Sequence, residues 1–358
     1  MSNTEIRPQE TTCQNRPGPV FTAGLTDGVE HRSAGDVGDS GDRSDGGDGV
    51  VELLEPRAVP LGGPRAMTVQ RTLPQRARSL IGAWCFLDFY GPDDVSATGG
   101  MAVPRHPHTG LATVSWLFSG QVDHLDSAGH QLTVRPGEVN LMNAGAGITH
   151  SEFSTAETTV LHGAQLWYAF PDRARFSPPS LESHRPEPVT GDGFTARVFL
   201  GSLLGSTSPV NTHLPLTGAE MLLEPGASLS IDVPEHHEHG VLRVSGSVSL
   251  DGVEIPTDHL GYVGPGRTRI TLSAADEPAT VLLIGGEPLN EKVIMWWNFV
   301  GRSHEEIVAW RAAYQAEMGF EAAETEAEGS GRQFGHFPPG TPAPIPAPPL
   351  PTSRLKPR

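Results

Sequence analysis

From about residue 100 to residue 170, apolar and polar positions alternate in short runs. TVSWLF, QVDHLD, HQLTV, EVNLM and TVLHGAQLWYAF each read as a strand, because side chains on a strand face opposite sides in turn. SG, SAGH, RPGE and NAGAG separate them as turns, and RPGE, with Pro then Gly at its centre, suits a type II turn. Upstream, IGAWCFLDFYGP is a buried apolar run closed by a turn, and order is expected to begin near RAVPLGGPRAMTVQRTLP. After the Pro-broken crossover FPDRARFSPPSLESHRPEPV, the rhythm repeats in ARVFLGSLLG, AEMLLEPGASLSIDVP, HGVLRVSGSVSLDG, HLGYVGPGRTRITLS and ATVLLIGGEPL. Two such blocks predict an all-β chain of two barrels. One segment has helical spacing instead. In RSHEEIVAWRAAYQAEM, Ser303 and Glu306 form a capping box, and Ile307, Trp310 and Tyr314 share a face that would pack on a barrel.

The ends differ. Residues 1–55 carry eleven acidic and four basic side chains in an Asp/Gly/Ser-rich context, and are expected to be a disordered acidic tail. Residues 321–358 are a Pro-rich tail, read as a loose end, an SH3-type ligand or a strap over the fold. Between the tails the expected order is an N-terminal barrel over 56–175, a C-terminal barrel over 176–300 and a helix over 301–320.

Composition narrows the class. A formal net charge of −17 disfavours direct binding of nucleic acid. Only Cys13 and Cys85 are present, so no disulfide framework is implied and a reducing compartment fits. The polar N-terminus lacks an apolar signal core, and no run reaches the length of a membrane span. A cytoplasmic location is the expectation.

The candidate chemistry lies in two short pairs. RHPH holds His106 and His108, two apart, and THSE holds His150 and Glu152, again two apart. On strands, each pair points to one face. If both strands enter one small barrel, three imidazoles and a carboxylate meet. That donor set suits Fe(II), Mn, Co, Ni or Zn better than Ca or Cu(I). On an octahedral ion, two adjacent positions would stay open for water, dioxygen or a chelating substrate.

RHPHTGLATVSWLFSGQVDHLDSAGH followed by RPGEVNLMNAGAGITHSE resembles the pirin family of the cupin superfamily. The resemblance extends to AVPLGG and CFLDFYGP, to QLWYAFP, to GSTSPVNTHLPL and EPGASLSI, and to the NFV, EEI and YQ segments, over roughly residues 57–320. It implies a bicupin with one metal, usually iron, in the N-terminal barrel, held by His106, His108, His150 and Glu152. The family often has an acidic residue just after HPH. Here Ala112 stands there, so a carboxylate near the site or substrate would be missing.

Other residues are candidates with plainer roles. His236, His237 and His239 look like a second metal site, but no matching distal ligand follows, and a solvated loop is expected. His124 and His130 are expected at the surface or behind the ligands, Asp88 on local backbone groups or orienting a ligand histidine, and Cys85 in the core. Leu111, Trp116, Met142 and Trp167 could line a pocket for an aromatic ligand, or be core.

The resemblance implies two kinds of function. One is a quercetin 2,3-dioxygenase-type oxygenase opening flavonol-like aromatic substrates, with Glu152 as the base. The alternative is a non-enzymatic, metal- or redox-dependent regulator that binds a transcription factor or metabolic enzyme. The enzyme is the favoured expectation.

Overall fold

The computed structural model describes residues 50–61, 67–322 and 332–358. The bulk of the acidic tail, with Cys13, lies outside the described residues.

The described chain is nearly all β, with one helix, His304–Glu317. Two barrels share one plan, a seven-stranded sheet facing a four-stranded one. In the first barrel the large sheet runs, in spatial order, Ser180–His184, Val139–Asn143, Leu111–Ser119, Val160–Ala169, Trp84–Asp94, Met67–Leu73 and Arg57–Leu61. Its small sheet runs Ala102–His108, Ile148–Ser154, Val122–Asp126 and Gln131–Val134. The turn expected at RPGE is present: Gly137 has φ +71°, and the Glu138 N–H donates to the Arg135 carbonyl at 3.2 Å.

The two large sheets pack against each other. Trp84, Trp116 and Leu166 from the first barrel meet Phe199, Leu242 and Ile284 from the second in one apolar core. The Trp116 ring stacks on Phe199 at 4.6 Å, and the Trp84 indole donates to the Gly285 carbonyl at 3.0 Å. An indole N–H taken into a core needs such an acceptor.

The barrel interiors differ, and this difference positions the site. In the second barrel, Ile231 and Leu272 of the small sheet meet Val198, Val241 and Leu283 of the large sheet, and apolar side chains fill the space. In the first barrel, inward positions change character along the strands. One end is apolar, with Tyr90, Leu117 and Leu161. The middle is polar: Ser115 donates to Gln165 at 2.8 Å, and Arg71 holds Asp88 through two hydrogen bonds of 2.6 and 2.8 Å. Asp88 therefore serves a buried ion pair, not backbone groups or a ligand histidine.

The N-terminal boundary needs correction. Residues Glu52–Leu54, expected in the tail, pair with Leu260–Val263 as the edge of the second barrel's large sheet, with Val51 and Leu54 buried. Of the three readings of the C-terminal tail, the structure shows the strap over 332–358, where the chain lies across the fold. Phe334 is fully buried among Phe299, Trp310 and Tyr314. The Ile345 N–H donates to the Arg105 carbonyl at 2.9 Å, and Arg358 and Val293 exchange two backbone hydrogen bonds of 3.1 Å. Pro-rich sequence tolerates this because an extended strap needs few internal hydrogen bonds. The helix packs Ile307, Trp310 and Tyr314 into this same aromatic layer. Ser303 caps it, accepting from the Glu306 N–H at 3.2 Å, while the Glu306 carboxylate accepts from the Arg302 N–H, one residue earlier than a capping box requires. Among the described residues no helix is long and apolar enough to cross a membrane.

Because Phe334 is the strap's largest buried anchor, Phe334→Ala is expected to lower stability by about 3 to 5 kcal/mol. Urea unfolding followed by tryptophan fluorescence measures this, and a loss under about 0.5 kcal/mol, typical of surface sites, would show that the strap adds little.

Candidate metal centre

Ala102–His108 and Ile148–Ser154 lie side by side and antiparallel. His106 sits directly opposite His150, and His108 opposite Ile148. The first strand carries Pro104 and Pro107, which lack a donor and are tolerated at a sheet edge. The strap then covers that edge through its bond to Arg105. The Gly-rich NAGAG loop that leads into the second strand needs its glycines. Gly145 has φ +48°, and a Cβ there would fall 1.8 Å from the Ser177 carbonyl oxygen.

This register brings three rings together. The His106 and His150 centroids are 4.3 Å apart, His108 and His150 4.9 Å, and His106 and His108 5.0 Å. All three side chains are fully buried. Their Nε2 atoms find no hydrogen-bond partner in the protein. Burial pushes His106 down to about 3, and holds His108 and His150 well below the ordinary histidine range. Neutral imidazoles with unused lone pairs are what a metal requires, and buried polar atoms without partners otherwise carry a cost. One ligand atom from each of the three lies within 4.8 Å of the others.

Glu152 joins through a second trio. Glu152, His124 and His150 also bring ligand atoms within 4.8 Å, so His150 belongs to both groups. A register shift between His150 and Glu152 places Glu152 opposite Val103 on one side and opposite His124 on the other. Burial acts to raise the Glu152 carboxyl, but nearby positive charge outweighs it and holds the group below its ordinary value. The buried His/Glu cluster can therefore hold a metal.

His124 is thus closer to the centre than the sequence suggested, and Asp126 was not singled out at all. His124 Nε2 lies 3.3 Å from Asp126 Oδ2, and His124 Nδ1 lies 3.4 Å from His150 Nδ1. Asp126 also accepts from the backbone N–H groups of Ala128 and His130, at 2.9 and 3.0 Å, and meets His130 Nδ1 at 2.9 Å. With its Nε2–H given to Asp126, His124 can accept at Nδ1. His150 then donates Nδ1–H and keeps its Nε2 lone pair for the cluster. On the other strand, the His106 Nδ1–H donates to the Pro104 carbonyl at 2.9 Å, which fixes the same tautomer there. The signal was present in DHLD: His124 and Asp126 share a strand face.

The remaining candidates separate. Trp167 meets His108 edge-on at 5.0 Å and stacks on Phe86 at 3.9 Å. Trp116 and Leu111 belong to the core between the barrels, and Met142 packs with Ala144 and Ile148. Ala112 is in the inter-barrel core too, on the face opposite Thr113, which pairs with Trp167. A carboxylate there would point away from the cluster, so its loss is no loss to the site. His237 and His239 are buried, not solvated, and form no metal-holding group among the described residues. Their neighbour Glu238 instead accepts from the Gly82 N–H and the Tyr262 hydroxyl, at 2.6 and 2.8 Å. Cys85 is core, its thiol pushed up by burial.

Comparison with known proteins agrees with this architecture. The Pirin family model matches residues 66–168, and the Pirin C-terminal cupin domain matches 218–320. The chain belongs to the pirin family. A Pseudomonas aeruginosa member, provisionally named a quercetin 2,3-dioxygenase, is 40% identical over 260 residues, covering 72% of this chain and 82% of that protein. Human Pirin is 33% identical over 231 residues, covering 62% and 79%. A crystal structure of quercetin 2,3-dioxygenase from Acinetobacter baumannii superimposes with a TM-score of 0.77 at 33% identity, covering 85% of this chain and 97% of that one. The pirin barrels account for the repeated seven-plus-four sheet plan.

If Asp126 sets the His150 tautomer, Asp126→Asn should weaken metal binding about 10- to 100-fold. Competition with a chromogenic chelator reads the affinity. Unchanged affinity in a folded variant would remove Asp126 from the centre.

Proposed function

We propose that this pirin is a mononuclear metal-dependent dioxygenase of the quercetin 2,3-dioxygenase type, taking flavonol-like substrates. The metal, iron(II) by preference with Mn, Co, Ni or Zn as substitutes, would be held by His106, His108, His150 and Glu152. The observation that carries this reading is the convergence of three buried, partnerless Nε2 atoms beside a buried carboxylate. The relatives named for quercetin 2,3-dioxygenase activity support the choice of reaction.

Bound there, a divalent metal supplies Lewis acidity and a template for dioxygen and a chelating 3-hydroxy-4-keto group. The chain's own residues do the rest. Burial keeps the imidazoles neutral, so they ligate at neutral pH. Glu152, with its carboxyl held ionised, takes the proton from the substrate hydroxyl. Trp167, edge-on to His108, offers a flat aromatic wall on that side of the cluster. Asp126 and His124 hold His150 in orientation.

Two variants test the roles. His108→Ala should abolish metal retention and turnover together. Glu152→Gln should retain most of the metal and lose at least about a hundredfold in quercetin turnover, the usual loss for a general base. Anaerobic iron loading, metal analysis and quercetin absorbance decay in air provide the readouts, with carbon monoxide release as the product assay. Full metal loading in the unmodified protein without any decay would move the reading to the regulator named above.

A further inference from the structure

The large sheet of the first barrel presents a polar row to its interior. Asn140, Ser115, Gln165, Asp88 and Arg71 stand directly opposite one another on five neighbouring strands. Residues paired in this way share a face of the sheet. Trp167, two residues along from Gln165, lies on that face too, and its ring meets His108 edge-on at 5.0 Å. The row therefore looks across the barrel interior toward the metal ligands.

One end of the row is satisfied and the other is not. Asp88 is held by Arg71 through hydrogen bonds of 2.6 and 2.8 Å. Ser115 donates to Gln165 Oε1 at 2.8 Å, which fixes the amide so that Nε2 keeps both its hydrogens for another acceptor. That Nε2 finds no partner in the protein, nor do Asn140 Nδ2, Asn140 Oδ1 and Trp167 Nε1. All three side chains are buried, none more than 4% exposed. Buried polar atoms are nearly always hydrogen-bonded, so four open ones on a single face call for a partner. Three donors and one acceptor suit a ligand that carries several oxygens, at least one of them a hydroxyl. The face also reaches a cavity of about 370 Å³, which Arg71, Phe86 and Trp167 border.

We propose that Asn140 and Gln165 are specificity-determining residues that bind substrate hydroxyls other than the oxygens on the metal. The inference rests on the oxygenase reading and narrows its substrate class to polyhydroxylated flavonols. Asn140 Oδ1 accepts from a phenolic O–H, and the two amide NH₂ groups donate to phenolic oxygens. Ser115 is a positioning residue that holds the Gln165 amide in the donating orientation. A flavonol without those hydroxyls leaves the buried amides unpaired, and a site built to hydrogen-bond a hydroxyl rejects the analogue that lacks it.

The test compares quercetin with 3-hydroxyflavone, which keeps the chelating 3-hydroxy-4-keto pair and lacks the other hydroxyls. Anaerobic absorbance titration of the iron-loaded full chain reads affinity without turnover, and flavonol decay in air reads kcat/KM. The parent is expected to favour quercetin by at least about tenfold in affinity. Asn140→Leu, close in size, should weaken quercetin by at least about tenfold more than it weakens 3-hydroxyflavone, with the same shift in the ratio of kcat/KM values. Gln165→Met is the second variant and should shift the ratio in the same direction. A role in packing alone would change unfolding stability and weaken both flavonols together. Equal affinity for the two flavonols in the parent, or variants that keep the parent's preference, would overturn this inference and leave the oxygenase reading standing. If neither flavonol perturbs the spectrum of the iron-loaded protein, the oxygenase reading falls and this inference falls with it.

Discussion

The antiparallel pairing of Ala102–His108 with Ile148–Ser154 is the contact on which the rest of the site depends. It sets His106 opposite His150 and leaves His108 one step along on the same face. A slip of one residue would turn the second strand's donors to the other face. Two features guard against that slip. Pro104 and Pro107 confine their strand to the sheet edge, and the strap closes the edge by bonding to Arg105. On the inner side, Val122–Asp126 pairs with the second strand and sets His124 opposite Glu152. The same pairing that builds the cluster therefore also supplies the groups that orient it.

The two barrels show how one plan supports different interiors. Both have seven strands facing four. The second fills its interior with aliphatic side chains such as Val198, Ile231 and Leu283. The first keeps an aliphatic end at Tyr90 and Leu117, then a layer of paired polar groups at Asp88, Ser115 and Gln165. Burial without a partner is costly for a polar atom, so three open Nε2 atoms gathered on two paired strands are a place where a metal would supply the missing partner.

Much of this was legible in the sequence, for a physical reason. Strand period, turn chemistry and the two-residue spacing in HPH and THSE are local properties, and they placed the barrels, the RPGE turn and the facing donors. The misreadings were nonlocal. Asp88 looked like a backbone partner because its guanidinium, on Arg71, lies on a neighbouring strand. The His236–His239 run looked solvated because nothing local shows that Glu238 reaches Gly82 and Tyr262. The Pro-rich end could be loose, a ligand or a strap, since nothing local shows that Phe334, Ala347 and Leu355 find an apolar layer and that Ile345 finds Arg105. Ala112 looked like a loss at the site, but strand alternation counted from Thr113 puts it on the other face.

The central claim is that the paired strands build one metal centre from His106, His108, His150 and Glu152. The most direct measurement is anomalous X-ray diffraction at the iron edge from crystals of the iron-loaded protein. The account predicts one strong peak bonded to the Nε2 atoms of the three histidines and to the Glu152 carboxylate. A peak at His236, His237 and His239 instead, or none between the two strands, would contradict it.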